Sequence, residues 1–306
     1  MHTHAQGHQH GHGRTNDRRA LAIALALIVA FMAGEIAAGI AAGSLALLAD
    51  AGHMLTDAAA LAAAFVASRL ASRPAHGSWT FGFGRTEILA AQANGLSLLI
   101  LGAWIVFSAI RRLIVPPQVH GGVVLVVALV GVAVNLAATV VLSRADRTSL
   151  NVQGAYLHIA TDLVAFVGTA LAGGLVLLTG WNRFDPIAGL LVAALMVRSS
   201  WSLLRESGRI FLEASPPGIE PDDVARALAA DEDVVEVHDL HVWTVTSGFP
   251  ALAAHVLVTP GADCHSARRR LQALLEARFA LQHTTLQVDH VARRSQDVRL
   301  GSLERS

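Results

Sequence analysis

A chain of 306 residues, 53% hydrophobic and only 15% charged, with a mean hydropathy of +0.50, carries more apolar surface than a water-soluble core of its size can bury. An ordinary soluble enzyme fold is therefore excluded, and the single Cys264 excludes an internal disulfide or a multi-cysteine metal site. The formal net charge is zero, so the expected large partner is the lipid bilayer rather than a nucleic acid, and topology must be read from where the arginines fall.

In chain order, residues 1–18 read as a disordered cytoplasmic tail in which His2, His4, His8, His10 and His12 either gather metal ions loosely or are merely solvated. No signal-peptide cleavage site follows. Residues 19–209 read as a membrane domain of six helices, at 19–41, 45–68, 87–110, 121–143, 152–179 and 186–206. These runs approach or exceed the ~20 residues that cross a bilayer. They are rich in Ala, Leu and Gly without alternation, which favours helices packed through small residues. Arg14, Arg18, Arg19, Arg69, Arg73, Arg85, Arg144, Arg147, Arg205 and Arg209 fall on the side shared by both termini, against Arg111, Arg112 and Arg183 opposite. Both termini are therefore expected in the cytoplasm. The Arg111-Arg112 pair runs against this rule without a sequence-level reason.

Two spans carry the same signature. The second contains His53-Met54-Leu55-Thr56-Asp57 and the fifth His158-Ile159-Ala160-Thr161-Asp162. Four residues make about one helical turn, so each imidazole stands above a carboxylate on one face. A lone histidine in such a helix has an ordinary explanation as a packing hydrogen bond. A buried carboxylate is costlier, roughly 2.5 to 3.5 kcal/mol on insertion scales, and here the costly residues come paired, twice. Two nitrogens and two oxygens form a ligand set suited to tetrahedral zinc, or to a proton site, between the second and fifth spans. Asp50, three residues before His53, and Glu35 in the first span are candidates for supporting carboxylates or a vestibule; Asp50 is equally readable as a helix-end charge.

After Glu206 the composition becomes polar, and residues 210–293 read as a soluble α+β domain followed by a disordered tail at 294–306. Helices are expected over Glu220 to Ala230 and Ser266 to Phe279, and strands over Val234 to Thr246, Leu252 to Val258 and Thr284 to Val291. About 80 residues is near the lower limit for an independent core, so a second copy would help.

Several stretches together carry a family resemblance: Gly43-Ser44-Leu45-Ala46-Leu47-Leu48-Ala49-Asp50 leading into the first motif, Phe81-Gly82-Phe83-Gly84-Arg85-Thr86-Glu87, the second motif, Asp185-Pro186, and Val237-His238-Asp239-Leu240-His241-Val242-Trp243. Over nearly its whole length the chain resembles a cation diffusion facilitator of the zinc-transporting type. The resemblance implies a homodimeric antiporter in a bacterial inner membrane that exports zinc, with cadmium or cobalt as further cargo, in exchange for protons. It places the transport ligands at His53, Asp57, His158 and Asp162. It also implies a metallochaperone-like cytoplasmic domain with a regulatory zinc, for which His238, His255 and Asp289 are candidates. Relatives with a further His at the place of Gln287 put a two-metal arrangement here in doubt, and His241, His265, His283 and His290 lie nearby. A loop zinc site of some relatives is expected to be missing, because His76 to Phe83 is aromatic where those ligands would stand. Arg85 and Glu87 are read as anchors of a helix end or as intersubunit ion pairs.

Two other classes compete. An intramembrane metalloenzyme would need a general base beside a ligand, as in H-E-x-x-H, and an open metal position for water; the chain has no such motif. A membrane metal sensor would bind without transporting.

Overall fold

The computed structural model describes residues 29–143, 150–246 and 248–291, without the side chains of 138–143 and 150–161. The His-rich segment, the first part of the expected first span and the 294–306 tail lie outside these residues. The chain divides into two compact units, residues 1–63 with 91–204 and residues 64–90 with 205–306.

The first unit is built from α1 (Val29–Ala42), α2 (Leu45–Ala71), α3 (Arg85–Ile114), α4 (Gly121–Ser143), α5 (Leu150–Thr179) and α6 (Phe184–Phe211), of which α2, α3 and α6 continue into the second unit. Among the described residues, four helical stretches are long and apolar enough to cross a membrane: α2, α3, residues 162–179 of α5, and α6. The described apolar parts of α1 and α4, Val29–Ala42 and Gly121–Ala137, are shorter. The chain is thus a multi-pass helical membrane protein.

Small residues allow α4 and α5 to cross closely. A methyl group on Gly121 would come within 2.7 Å of the Gly173 carbonyl, and one on Gly173 within 2.7 Å of the Leu125 amide, so α4 and α5 touch backbone to backbone. α1 ends at Gly43, whose φ of +66° suits the left-handed position after a helix, while the Ser44 amide reaches back to the Gly39 carbonyl.

One end of this unit is tied together by buried charge. Asp185, 1% exposed at the start of α6, accepts hydrogen bonds from the Ser44 hydroxyl and from the Leu45 amide at 2.7 Å, satisfying donors that the first turn of α2 leaves open. Arg112 lies 3.8 Å from Asp185 and donates to the Gly43 carbonyl at 2.6 Å, and Arg183 donates to the Leu113 carbonyl at 2.8 Å. Arg111 packs over the Phe107 ring. These contacts explain the arginines that ran against the distribution rule. Arg112 and Arg183 bind helix-end carbonyls, which any helix terminus leaves unpaired, so their placement follows local capping.

In the second unit the order helix, strand, strand, helix, strand is the one expected. It comprises α7 (Pro221–Ala229), β1 (Val234–Thr246), β2 (Phe249–Val258), α8 (Cys264–Phe279) and β3 (His283–His290) in a sheet of order β1-β2-β3. β1 and β2 are antiparallel; β2 and β3 are parallel, the crossover being α8. Asp263 caps α8 by accepting from the His265 and Ser266 amides. These bonds hold the Asp263 carboxyl below its ordinary range. Leu228, Leu252, Leu271 and Leu275 are fully buried between helices and sheet. Arg270 bridges Asp231 and Asp233 at 2.8 and 2.7 Å, and its guanidinium holds the Asp231 carboxyl below the usual carboxylate range.

The connection between α2 and α3 belongs to this unit. Thr246 donates to the Gly84 carbonyl at 2.8 Å, and Arg85 donates to the Val245 carbonyl at 3.1 Å. Any side chain on Gly84 would strike Thr246, at 2.8 Å. Phe81 and Phe249 both meet the His283 ring edge-on. Arg85 also pairs with Glu213 at 3.4 Å. Phe81 therefore fastens this loop to the sheet, and Arg85 anchors the start of α3.

Candidate functional site

The helical spacing of His53 and Asp57 does what the motif requires. His53 Nε2 lies 3.7 Å from Asp57 Oδ2, one turn along α2, and 3.9 Å from Asp162 Oδ1 on α5. One imidazole nitrogen thus faces a carboxylate from its own helix and one from another. All three side chains are largely withdrawn from solvent, at 8%, 21% and 15% exposure. Ligand atoms ~2.0–2.2 Å from a tetrahedral zinc stand roughly 3.3–3.6 Å from one another, so separations of this size need only a small inward movement to hold a dication. His158 is carried by α5 one turn before Asp162, and its side chain lies outside the described residues.

Asp50 and Glu35 are buried at 2% and 1% exposure, and they act electrostatically on one another and on Asp162. Burial sets aside the reading of Asp50 as a helix-end charge at an aqueous boundary.

A second constellation stands on the sheet. His238 and His255 are cross-strand partners in β1 and β2, with ring centroids 5.3 Å apart. Asp239 completes the group: one ligand atom from each of His238, Asp239 and His255 lies within 4.8 Å of the others, the only group of this kind among the described residues. Asp239 is brought there by an irregularity in β1, where the register shifts between His238 and His241 and Asp239 takes a φ of +49°. Aspartate tolerates that left-handed conformation better than most residues. In a regular strand it would point to the opposite face from His238, which is why sequence reasoning passed over it. Asp289, the third residue expected here, lies on β3 beside Gln287, accepts from its amide nitrogen at 2.8 Å, and is not a member of the group. Gln287 itself is the β3 partner of His255, so the row His238, His255, Gln287 runs across all three strands.

Other histidines have separate surroundings: His290 contacts the Ala262 carbonyl and lies 3.5 Å from the Cys264 sulfur, and His283 meets the two phenylalanine rings. The placement of Asp239 depends on the strand irregularity and that of Asp185 on a contact across 140 residues, neither of which leaves a local pattern in the sequence.

Residues 21–212 match the cation efflux transmembrane domain, and residues 216–291 match the cytoplasmic domain of cation efflux proteins. The chain is 38% identical over 251 residues to the cadmium, cobalt and zinc/H(+)-K(+) antiporter of Bacillus subtilis, covering 80% of each protein. It is also 38% identical to zinc transporter ZitB of Pectobacterium atrosepticum, over 81% of this chain and 78% of that one. A third relative at 38% identity is the metal cation efflux system protein CzcD of Cupriavidus metallidurans, over 80% of this chain and 78% of that one.

Proposed function

The chain belongs to the cation efflux family, and from that premise we propose that it exports zinc from the cytoplasm in exchange for protons, with cadmium and cobalt as further cargo. Membership makes it a membrane transporter and not an enzyme, which closes the intramembrane metalloenzyme reading. The observation that carries the proposal is the convergence of Asp57 and Asp162 on one nitrogen of His53 between α2 and α5. With His158, whose sequence position repeats that of His53, the set is two imidazoles and two carboxylates.

The proposed mechanism follows from this donor set. A dication entering the site is stripped of water and held by fixed nitrogen and oxygen ligands, its charge balanced by Asp57 and Asp162. Imidazole must be deprotonated to bind metal, so protons and zinc compete for the same lone pairs. Protons arriving from the far side displace the ion and travel inward as it leaves. Access alternates about a site near mid-bilayer, with six spans, both termini in the cytoplasm and the bacterial inner membrane as the setting. The name of the Bacillus subtilis relative, a metal/H(+)-K(+) antiporter, supports the exchange.

In the C-terminal domain, His238, Asp239 and His255 offer a regulatory zinc two nitrogens and a carboxylate, with Asp289 available two residues beyond Gln287. Zinc there would favour a homodimer.

The test is flux into inverted vesicles containing the full chain, with zinc, cadmium, cobalt and manganese run in parallel against a proton gradient. Zinc-driven proton movement is expected in the wild type, and its loss in Asp57→Ala and Asp162→Ala. Intact coupling in either variant would refute the site. Zinc binding without any flux would favour a sensor.

A further inference from the structure

We propose a second cation position in the membrane unit, made of oxygens alone, from Glu35 on α1, Asp50 on α2 and Thr169 on α5. It deepens the transport reading above and rests on it, as a station on the path between the transport ligands and the α1–α2 turn.

Glu35, Asp50 and Thr169 are 1%, 2% and 1% exposed. Among the described residues, Glu35 and Asp50 Oδ2 find no hydrogen-bond partner beyond one another, and the Thr169 hydroxyl has none. Two buried carboxyl groups with only each other for company are expensive, because neither a cation nor another donor offsets their charge. Two negative charges and an open hydroxyl are what a dication would satisfy.

Helix packing puts the three groups at one level. Glu35 and Asp50 are electrostatic neighbours across α1 and α2. Phe31 of α1 meets Phe166 of α5 edge-on at 5.5 Å. Glu35 stands four residues after Phe31, and Thr169 three after Phe166, so each projects from the touching face one turn further on. That direction leads to the α1–α2 turn, because Ala46 near the start of α2 packs against Ala172 near the end of α5. Asp50 precedes Asp57 by seven residues and Thr169 follows Asp162 by seven, a displacement of two turns, or about 10.5 Å, along both helices in the same sense. An ion leaving His53 would meet Asp50 one turn away. Lacking imidazole, this station should hold zinc more loosely than the transport ligands, which suits onward release.

Cadmium NMR on the full chain in lipid nanodiscs tests the proposal, because an ion bound by oxygens alone resonates well upfield of one with nitrogen ligands, including any in the histidine-rich tail or on the sheet. The wild type should show an upfield resonance that disappears in Glu35→Gln and in Asp50→Asn, while persisting in a His53→Ala/Asp57→Ala chain. Absence of that resonance from the wild type, its survival in the Glu35 and Asp50 variants, or its loss from the His53/Asp57 variant would each overturn the second position. Flux separates the two ideas: if the His53→Ala/Asp57→Ala chain still transports, the transport-site reading fails whatever the spectrum shows.

Discussion

Asp185 illustrates how one residue organises a helix far away in sequence. Its carboxylate gathers the Ser44 hydroxyl, the Leu45 amide and the Arg112 guanidinium, so it caps the helix that carries His53 and Asp57 while neutralising a partly buried cation. Asp185→Ala would orphan those donors at a site 1% exposed, at about 1–3 kcal/mol for each unsatisfied group. The expected outcome is a clear drop in the thermal midpoint of the detergent-solubilised protein, with Asp185→Asn, which keeps one accepting oxygen, falling in between. A wild-type midpoint for the alanine variant would show that the clamp contributes nothing. The dipeptide Asp185-Pro186 stood out in the sequence, but its task did not, because its partners lie some 140 residues away. The proposed transport ligands stand out in the sequence for the opposite reason: an i, i+4 pair lies within one turn, and its repetition in a second apolar stretch is improbable without a shared purpose.

Elements show the same division between local and distant causes. The bounds of β1, Val234–Thr246, coincide with the alternating stretch, whereas α8 starts at Cys264, two residues before the expected Ser266, because Asp263 caps it. β2 starts at Phe249, three residues earlier than its alternation suggested, and the Phe249 ring there meets His283. That β3 runs parallel to β2 depends on α8 crossing the sheet, which no property of β3 records. In the membrane unit, the glycines read only as generally permissive of close packing, whereas the structure singles out two. Gly173→Ala would drive a methyl group to 2.7 Å from the Leu125 amide, a backbone atom that cannot rotate away. Separation of α4 from α5 should follow, at a cost of about 1–3 kcal/mol typical of overpacking, and zinc flux should fall with it because α5 carries Asp162. Gly174→Ala, where a methyl group meets nothing within 4 Å, is the matched control and should melt and transport as the wild type does. Equal effects of the two substitutions would show that the close crossing is unimportant.

At the scale of the whole molecule, the C-terminal domain has too small a core to be expected to stand far above the stability threshold alone, and the group proposed to bind zinc offers a way to couple assembly to that ion. His238 borders the β1 irregularity, Asp239 lies within it and His255 stands across from His238 on β2, so an ion held by all three would fix the strand pair in one geometry. If that geometry is the one that dimerises, zinc stabilises the dimer by linkage: at a hundredfold excess over its Kd, an ion that binds only the assembled form contributes about 2.7 kcal/mol per site, roughly a hundredfold tighter association. Sedimentation of the full chain in detergent should therefore show a dimer dissociation constant that falls on adding zinc and rises with a chelator. His238→Ala/His255→Ala should be indifferent to both. Asp239→Asn, which keeps the backbone conformation but removes the charge, should need more zinc for the same effect, whereas Asp289→Asn should resemble the wild type if Asp289 remains engaged with Gln287 and not with the ion. A dimer that tightens equally with zinc in all four proteins would place the linkage outside this group altogether.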